Sequence, residues 1–427
     1  MRRHWAAWLN QYENIKSQYF AVHSGTKNGG IKLAILSTIR VLDLSRILSG
    51  PYITMCLGDM GADVIKIEQP GKGDDTRHWG PPFYGEDSTY YLAINRNKRS
   101  VTLDLKQAEG RRVLEQLVSS ADVVVENFRN DTRDRLCLDY DSLRQLNPSL
   151  IMLHISAFGE AGPDRNKPGY DVLAQAMGGV MSLTGDEDGP PMKAGFAVAD
   201  LGAAMFGLAG ILGALFHRSQ TGQGQYLTTS LYESQLAFHI NWATNYFATG
   251  EVPRRIGSAH PNLAPYQPFA TSDGNIVLAV GNDALWQKLC SVLSRPDLAD
   301  DSRFKTNADR VRNQKELGAI LSDIFRERST QYWCGLLDKA GVPAGPIWNL
   351  EDIYVNNPQT EALEMVQEVM HPVAGRLKQI RFPVNFSKEA ARIQTPPPLL
   401  GEHTEEVLTE LGFSDTKIHE LRVKGVI

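Results

Sequence analysis

Metal, redox and membrane signatures are scarce in this chain. Its four cysteines, Cys56, Cys137, Cys290 and Cys334, are scattered, with no C-x-x-C pair and no metal-type spacing. They read as reduced, buried thiols in a reducing compartment. The ten histidines form no H-x-x-x-H or H-E-x-x-H pattern, so a protein-held metal is not expected. No apolar run reaches the roughly 20 residues that span a bilayer; the best, LGAAMFGLAGILGALF at 201–216, reads as a buried core helix. A G-x-G-x-x-G fingerprint is missing from the first strand-to-helix turn, which reads SRILSGP and counts against a nicotinamide dehydrogenase. Neither sign of charge dominates: 44 Lys and Arg face 49 Asp and Glu. A dedicated nucleic-acid binder would be basic, so neither nucleic acid nor membrane is an expected partner. Internal repeats and low-complexity tracts are also missing.

What is present is the alternation of an α/β protein. At 427 residues, two domains are the natural expectation. Residues 1–34 stand apart, with Arg2, Arg3, Lys16, Lys27 and Lys32 against Glu13 alone. Lacking the apolar segment of a secretory signal, they read as an extension of a cytoplasmic protein, with a mitochondrial transit peptide as the alternative. Strand-like runs at 38–45, 63–68, 100–105, 122–127 and 150–158 alternate with helical stretches after Gly50-Pro51 and at 108–120. That pattern predicts a doubly wound α/β domain with a parallel sheet. A helix over 201–216 should end at Gly222 or Gly224, before a strand at 226–232 and a long helix over 233–249. Glycine and proline between Gly250 and Pro268 mark a boundary. Beyond it, a strand at 274–281 and helices near 284–294 and 314–327 predict a smaller α/β domain. Residues 371–387 read as a β-rich return, and PPPLL (396–400) as a stiff connector to a C-terminal helix.

Asp200 is the only charged side chain between Ala194 and Phe216. Just ahead of a helix, it reads as an N-cap kept ionised by the helix dipole. The small residues around it leave room for a ligand, so the same carboxylate could serve as a nucleophile. Arg96, Lys98, Arg99 and Lys106 flank a strand and read either as a solvated edge or as a phosphate cradle. Asn127, Phe128, Arg129 and Arg135 would extend that cradle, with Phe128 offering a face to an aromatic base.

Seven segments, VLDLSRILSGP, GADVIKIEQPGKGDDTRHWGPP, NRNKRSVTLDLK, VVENFR, YDVLAQAMGG, ADLGAAMFG and LLGEHTEEVLTELG, run in order from about residue 38 to the C-terminus. Together they resemble the class III CoA-transferase family. GSAHPNLAPYQPF (257–269) and the DDTRHWGPP segment are most similar to its succinyl-CoA:glutarate members. The resemblance implies a Rossmann-like large domain with an inserted smaller α/β domain, and ring-like subunits interlocked in a homodimer. The chain then divides into an extension (1–34), the large domain (35–225), a linker helix and small domain (226–365), and a C-terminal return to the large domain (366–427). It also implies that Asp200 is the catalytic aspartate, carrying CoA through mixed anhydrides and an aspartyl-CoA thioester. Acyl-CoA and a small carboxylic acid are the expected substrates, with no tightly bound cofactor.

Contacts carried over from formyl-CoA transferase-like members fall on Leu48, Ser49, Leu103, Asp104, Leu105, Lys106, Asn127, Phe128, Arg129, Arg135, Lys167, Pro168, Gly169 and Tyr170. Asp171 matches a second active-site carboxylate of the family, or else is a structural partner of backbone groups. Leu48 replaces an active-site glutamine of the formyl-CoA enzymes, and their poly-glycine lid has no counterpart between 250 and 275, which disfavours formyl or oxalate substrates. Gln69 replaces an arginine, so a CoA contact there would be weaker. An α-methylacyl-CoA racemase, the main rival, carries a histidine where this chain has Tyr170, and a neutral phenol is a poor base. A fold that has lost catalysis is the third reading. A short dicarboxylate would need cations or donors at its far end; Arg46, His260 and Asn262 are the candidates.

Overall fold

The structure, a computed structural model, describes residues 34–427, so the extension expected over 1–34 lies almost wholly outside the described residues. Its largest sheet has six strands: β1 (Arg40–Asp43), β2 (Asp63–Glu68), β3 (Lys98–Thr102), β4 (Val123–Glu126), β5 (Ile151–Ser156) and β6 (Gln225–Ser230). They lie in the order β3-β2-β1-β4-β5-β6, and every neighbouring pair is parallel. This is the doubly wound order with its reversal between β1 and β4. Parallel strands need helical crossovers, which cover both faces and favour apolar residues on each. Accordingly Leu42, Ile65, Val124 and Met152 bury one core with helix α3 (Ala108–Ser119), α11 (Thr404–Glu410) and α12 (Asp415–Val423). On the opposite face Val41, Val64, Val125 and Leu153 pack against α1 (Ser49–Asp59) and α5 (Val198–Thr221). The short helix α2 (Thr89–Ile94) packs beside α1, and α4 (Asp171–Met177) beside α5.

Helix α5 is 24 residues long and, by length and composition alone, apolar enough to cross a membrane. It exceeds the expected span because the polar exit from His217 stays helical until Gly222 closes it in a left-handed conformation, φ 73°. The expected long helix over 233–249 is two, α6 (Leu231–Phe238) and α7 (Ile240–Thr249), interrupted where Ile240 takes a positive φ of 38°. Strands β7 (Tyr266–Ala270), β8 (Asn275–Ala279) and β9 (Ala344–Pro346) form an antiparallel sheet. It packs on α8 (Asp283–Val292), α9 (Gln314–Arg326) and α10 (Thr330–Lys339) around Trp286, Phe304, Phe325 and Trp333. The expected β-rich return is a hairpin set earlier in the chain, β10 (Val366–His371) and β11 (Gly375–Ile380), and no strand follows Ile380. Contrary to the reading of four buried thiols, Cys137 is exposed and Cys334 half-buried.

The basic segment 96–106 is neither a solvated edge nor, for the most part, a cradle. Arg96 is buried against Asp59 at 2.6 Å, Lys98 is buried against Asp43 at 3.0 Å, and Arg99 pairs with Asp63 and Glu410. Because β3 lies beside β2 and under α11, its cations are consumed by the fold. Only Lys106, beyond the strand, reaches a cavity.

Candidate active site

Ligands of doubly wound sheets sit at the C-terminal strand ends flanking the reversal. Here the loops leaving β1 and β4 are tied together. The Asn127 side chain accepts the Arg46 N–H at 2.9 Å and donates to the Arg46 carbonyl at 2.8 Å. Ile47, next along, sits at φ 74°, a region that a β-branched residue enters only when its surroundings compel it. Asp74 accepts its N–H at 3.3 Å.

Three cavities follow this crevice. The largest, about 340 Å³, is lined by Leu103, Asp104, Leu105, Lys106, Phe128 and Arg135, and its size suits a small-molecule site. Lys106 and Arg135 have no ion-pair partner among the described residues, leaving two cations available for phosphate. A second, about 90 Å³, is lined by Asn127, Phe128, Arg129, Lys167, Pro168 and Gly169. The third, about 110 Å³, is lined by Ser49, Asn127, Gly169, Tyr170 and Asp200. Phe128 is common to the first two, Asn127 and Gly169 to the last two, so the three make one path ending at Asp200. Only glycine fits at 169, where a Cβ would come within 2.6 Å of the Ala157 Cβ and 2.9 Å of the Phe158 ring.

Not every expected residue joins this path. Leu48 is buried at the head of α1 and lines none of the three cavities. Arg46 lines the largest cavity, paired with Asp75 at 3.3 Å, and not the Asp200 cleft where an acid's far end would lie. His260 and Asn262 are also away from that cleft: Asn262 accepts hydrogen bonds from Asn241 and Asn245 on α7, and His260 packs on Tyr266. Conversely, Lys66, Glu68 and Asp74 in the largest cavity, and Ile155, Ser156 and Ala157 beside Asp200, were not singled out from the sequence. They sit at or just beyond the ends of β2 and β5, strands that the sequence shows without their order.

Helix α5 begins at Val198, which puts Asp200 inside its first turn and not at the cap. The cap comes from another helix. Asp171, at the start of α4, accepts the N–H groups of Ala199 at 2.8 Å and Asp200 at 3.4 Å. Asp171 thus has a structural role toward backbone groups beside the nucleophile candidate. Nor does the helix dipole keep Asp200 strongly acidic. Burial and then the nearby Asp171 carboxylate push its pKa up to about 7, against a hydrogen bond from Ser49. The side chain is half-buried at the cleft wall, reachable by a substrate yet mostly surrounded by protein. Tyr90 of α2 is a further neighbour that sequence reasoning missed. Its phenol is pushed up to about 12 by burial and by Asp200, Asp171 and Asp74, and its ring meets Trp79 edge-on at 5.4 Å.

Residues 36–404 match the family model described as CoA-transferase family III. The chain is 40% identical over 393 residues to a succinyl-CoA:glutarate CoA-transferase of Homo sapiens, covering 92% of this chain and 90% of that one. It is 43% identical over 382 residues to a succinate–glutarate CoA-transferase of Agrobacterium fabrum, covering 88% and 95%. A solved CAIB/BAIF family protein from Brucella suis superposes with a TM-score of 0.78 at 40% identity, over 89% of this chain and 100% of that one.

Proposed function

The chain belongs to CoA-transferase family III and is a CoA-transferase, and from that premise we propose that it moves CoA from succinyl-CoA to a short dicarboxylic acid with Asp200 as the nucleophile. The observation that carries this reading is the continuous path from Lys106 and Arg135, past Phe128, to a half-buried carboxylate. Lys106 and Arg135 hold phosphate oxygens, Phe128 packs on the nucleotide, and the pantetheine arm runs by Asn127, Arg129 and Lys167 to Gly169.

At the cleft the ionised Asp200 attacks the thioester carbonyl. The C–S bond breaks, leaving an aspartyl–succinyl anhydride and CoA thiolate. The thiolate attacks the aspartyl carbonyl, succinate departs, and an aspartyl-CoA thioester remains. The acceptor's carboxylate attacks that thioester, releasing thiolate and forming a second anhydride. Thiolate then attacks the acceptor's acyl carbon and frees Asp200. No step needs an external acid. Each tetrahedral oxyanion needs a donor, and helix α1 starts at Ser49 on the cleft wall with no side chain capping it, so its first N–H groups are free for that purpose. Anhydrides hydrolyse in bulk water, so the cleft must be covered during turnover. Exposed Phe196, just ahead of α5, and Phe216, Ile240 and Phe247 on α5 and α7 support a homodimer that supplies the cover.

Two measurements test the reading. Purified protein, succinyl-CoA and a panel of carboxylic acids, analysed by mass spectrometry, should yield the CoA thioesters of C4–C6 diacids fastest. Transfer to none of them, or racemisation of a 2-methylacyl-CoA instead, would overturn it. The pH dependence follows from Asp200. With its pKa raised to about 7, the reactive anion is lost as pH falls through that value. The kcat/KM for succinyl-CoA should therefore drop about tenfold per unit well below pH ~7 and level off above it. An acid limb centred near the ordinary aspartate value would refute that assignment.

A further inference from the structure

The turn that carries Asp200 is held from two sides. On one side its N–H groups at Ala199 and Asp200 bond the Asp171 carboxylate. On the other, Ser234 of α6 donates to the Ala199 carbonyl at 3.1 Å and Gln235 to the Val198 carbonyl at 3.4 Å. Asp171 is in turn held by Gln175, one turn further along α4. The Gln175 Nε2 donates to Asp171 Oδ2 at 2.6 Å, and its Oε1 accepts the N–H of Ala194, at 2.8 Å, in the loop that enters α5. Gln175 is fully buried. A single amide therefore joins the cap of the nucleophile's helix to the segment leading into it. No other uncharged side chain of this length offers a donor and an acceptor from one head group.

We infer that Gln175 is a positioning residue for the transfer reaction: it orients the Asp171 carboxylate as the cap of the turn bearing Asp200. This rests on Asp200 being the nucleophile. Its physical basis is that Asp171 accepts three N–H donors on two oxygens, so the Gln175 donor fixes the orientation in which the carboxylate meets the Ala199 and Asp200 N–H groups. Removing the Gln175 donor frees the Asp171 carboxylate to swing away from Asp200 and the turn to move. Few other titratable groups compete. Glu233 of α6 is turned to Ser230, Tyr232 packs on Phe158, and His239 lies over Gly179. Tyr90 of α2 faces both carboxylates, α5 otherwise carries only His217 and Arg218 at its far end, and the short helix Val180–Leu183 after α4 carries none.

Gln175→Leu and Gln175→Glu, each compared with wild type across pH, test this. Gln175→Leu should lose about 30-fold or more in kcat on the plateau above pH ~7, with the KM for succinyl-CoA within about threefold, because geometry and not binding is disturbed. In Gln175→Glu the introduced carboxyl, while protonated, reproduces the amide's donor and acceptor. Its activity relative to wild type should be within about threefold below pH ~6 and fall to the Leu variant's level by pH ~8.5. That rescue at low pH also shows that the variant folds. A Leu variant with wild-type kcat, or a Glu variant whose ratio to wild type is flat with pH, would overturn the inference. Should wild type itself transfer no CoA, the proposed function fails separately. Gln175 is then judged by the Asp200 titration, read as the infrared carboxyl difference against Asp200→Asn. Gln175→Leu should move its midpoint to lower pH, and an unmoved midpoint would sink the inference.

Discussion

Asp200→Asn should lower kcat/KM for CoA transfer by about 10⁴-fold or more, since removing a covalent nucleophile leaves only binding and oxyanion stabilisation. The amide preserves shape, and the contacts that fasten the turn are made to its backbone by Asp171, Ser234 and Gln235, not by the Asp200 side chain. The loss is therefore chemical. After acid quenching of a reaction with succinyl-CoA, the wild-type mass should include a fraction carrying covalent CoA, and the variant's none. A variant within tenfold of wild type would place the nucleophile elsewhere. Stability should move the opposite way. The folded-state pKa of Asp200, about 7, lies above the ordinary 3.8, so the folded protein holds this proton more tightly than the unfolded chain. Ionisation then opposes folding: the penalty is absent in acid, grows between those two values, and is complete above pH ~7. Asp200→Asn should melt higher than wild type at about pH 8 and at the same temperature at about pH 4. Activity here costs stability, as it commonly does where a carboxylate is held in a confined site.

The largest loss of stability is expected at Asp43, the hub of a buried charge network under the site. Fully buried at the end of β1, it accepts hydrogen bonds from Ser45, Thr54 at 2.7 Å and Lys98 at 3.0 Å, with the Lys66 ammonium at 3.8 Å. Burial alone would raise its pKa; Lys66 and Lys98, with the hydrogen bonds from Ser45 and Thr54, together outweigh that and hold it well below the usual carboxylate range. Lys66 continues the network to Asp74 at 3.0 Å and to the Ser45 carbonyl at 2.9 Å. Asp43→Ala leaves Lys98 without its only anionic partner within bonding distance among the described residues, and breaking a buried pair from one side costs about 3–5 kcal/mol. Against a total stability on the order of 10 kcal/mol, that is a large share. Denaturant unfolding should show a lowered midpoint and, because Ser45 and Thr54 both lose an acceptor beside the crevice, weaker CoA binding as well. A change below about 1 kcal/mol would mean that the two lysines find other partners or shed their protons at little cost.

Much of this was legible in the sequence. The periodicity of 63–68, 108–120 and 150–158 was enough to predict β2, α3 and β5, because strands buried on both faces and amphipathic helices declare themselves in runs of neighbouring residues. Gly222 marked the end of α5 for an equally local reason: it takes a backbone conformation costly for other residues. The seven ordered segments carried the family, and the path from Lys106 to Asp200 gathers most of the residues they singled out. What failed depended on which distant segments meet. Arg96, Lys98 and Arg99 looked free because Asp59, Asp43 and Asp63 are far off in sequence, and strand order brings each pair together. Asp200 looked like its own cap because the true cap, Asp171, lies 29 residues earlier in another helix. Its acidity was misjudged for the same reason. A dipole can be read from a helix start, whereas burial and a neighbouring like charge exist only once α4 and α5 pack. Composition and local pattern thus determined the class of fold, and the seven ordered segments singled out Asp200 as the candidate carboxylate. Tertiary structure alone decided its protonation and its supports, because Coulomb and desolvation energies depend on separations through space that the order of residues along the chain does not contain.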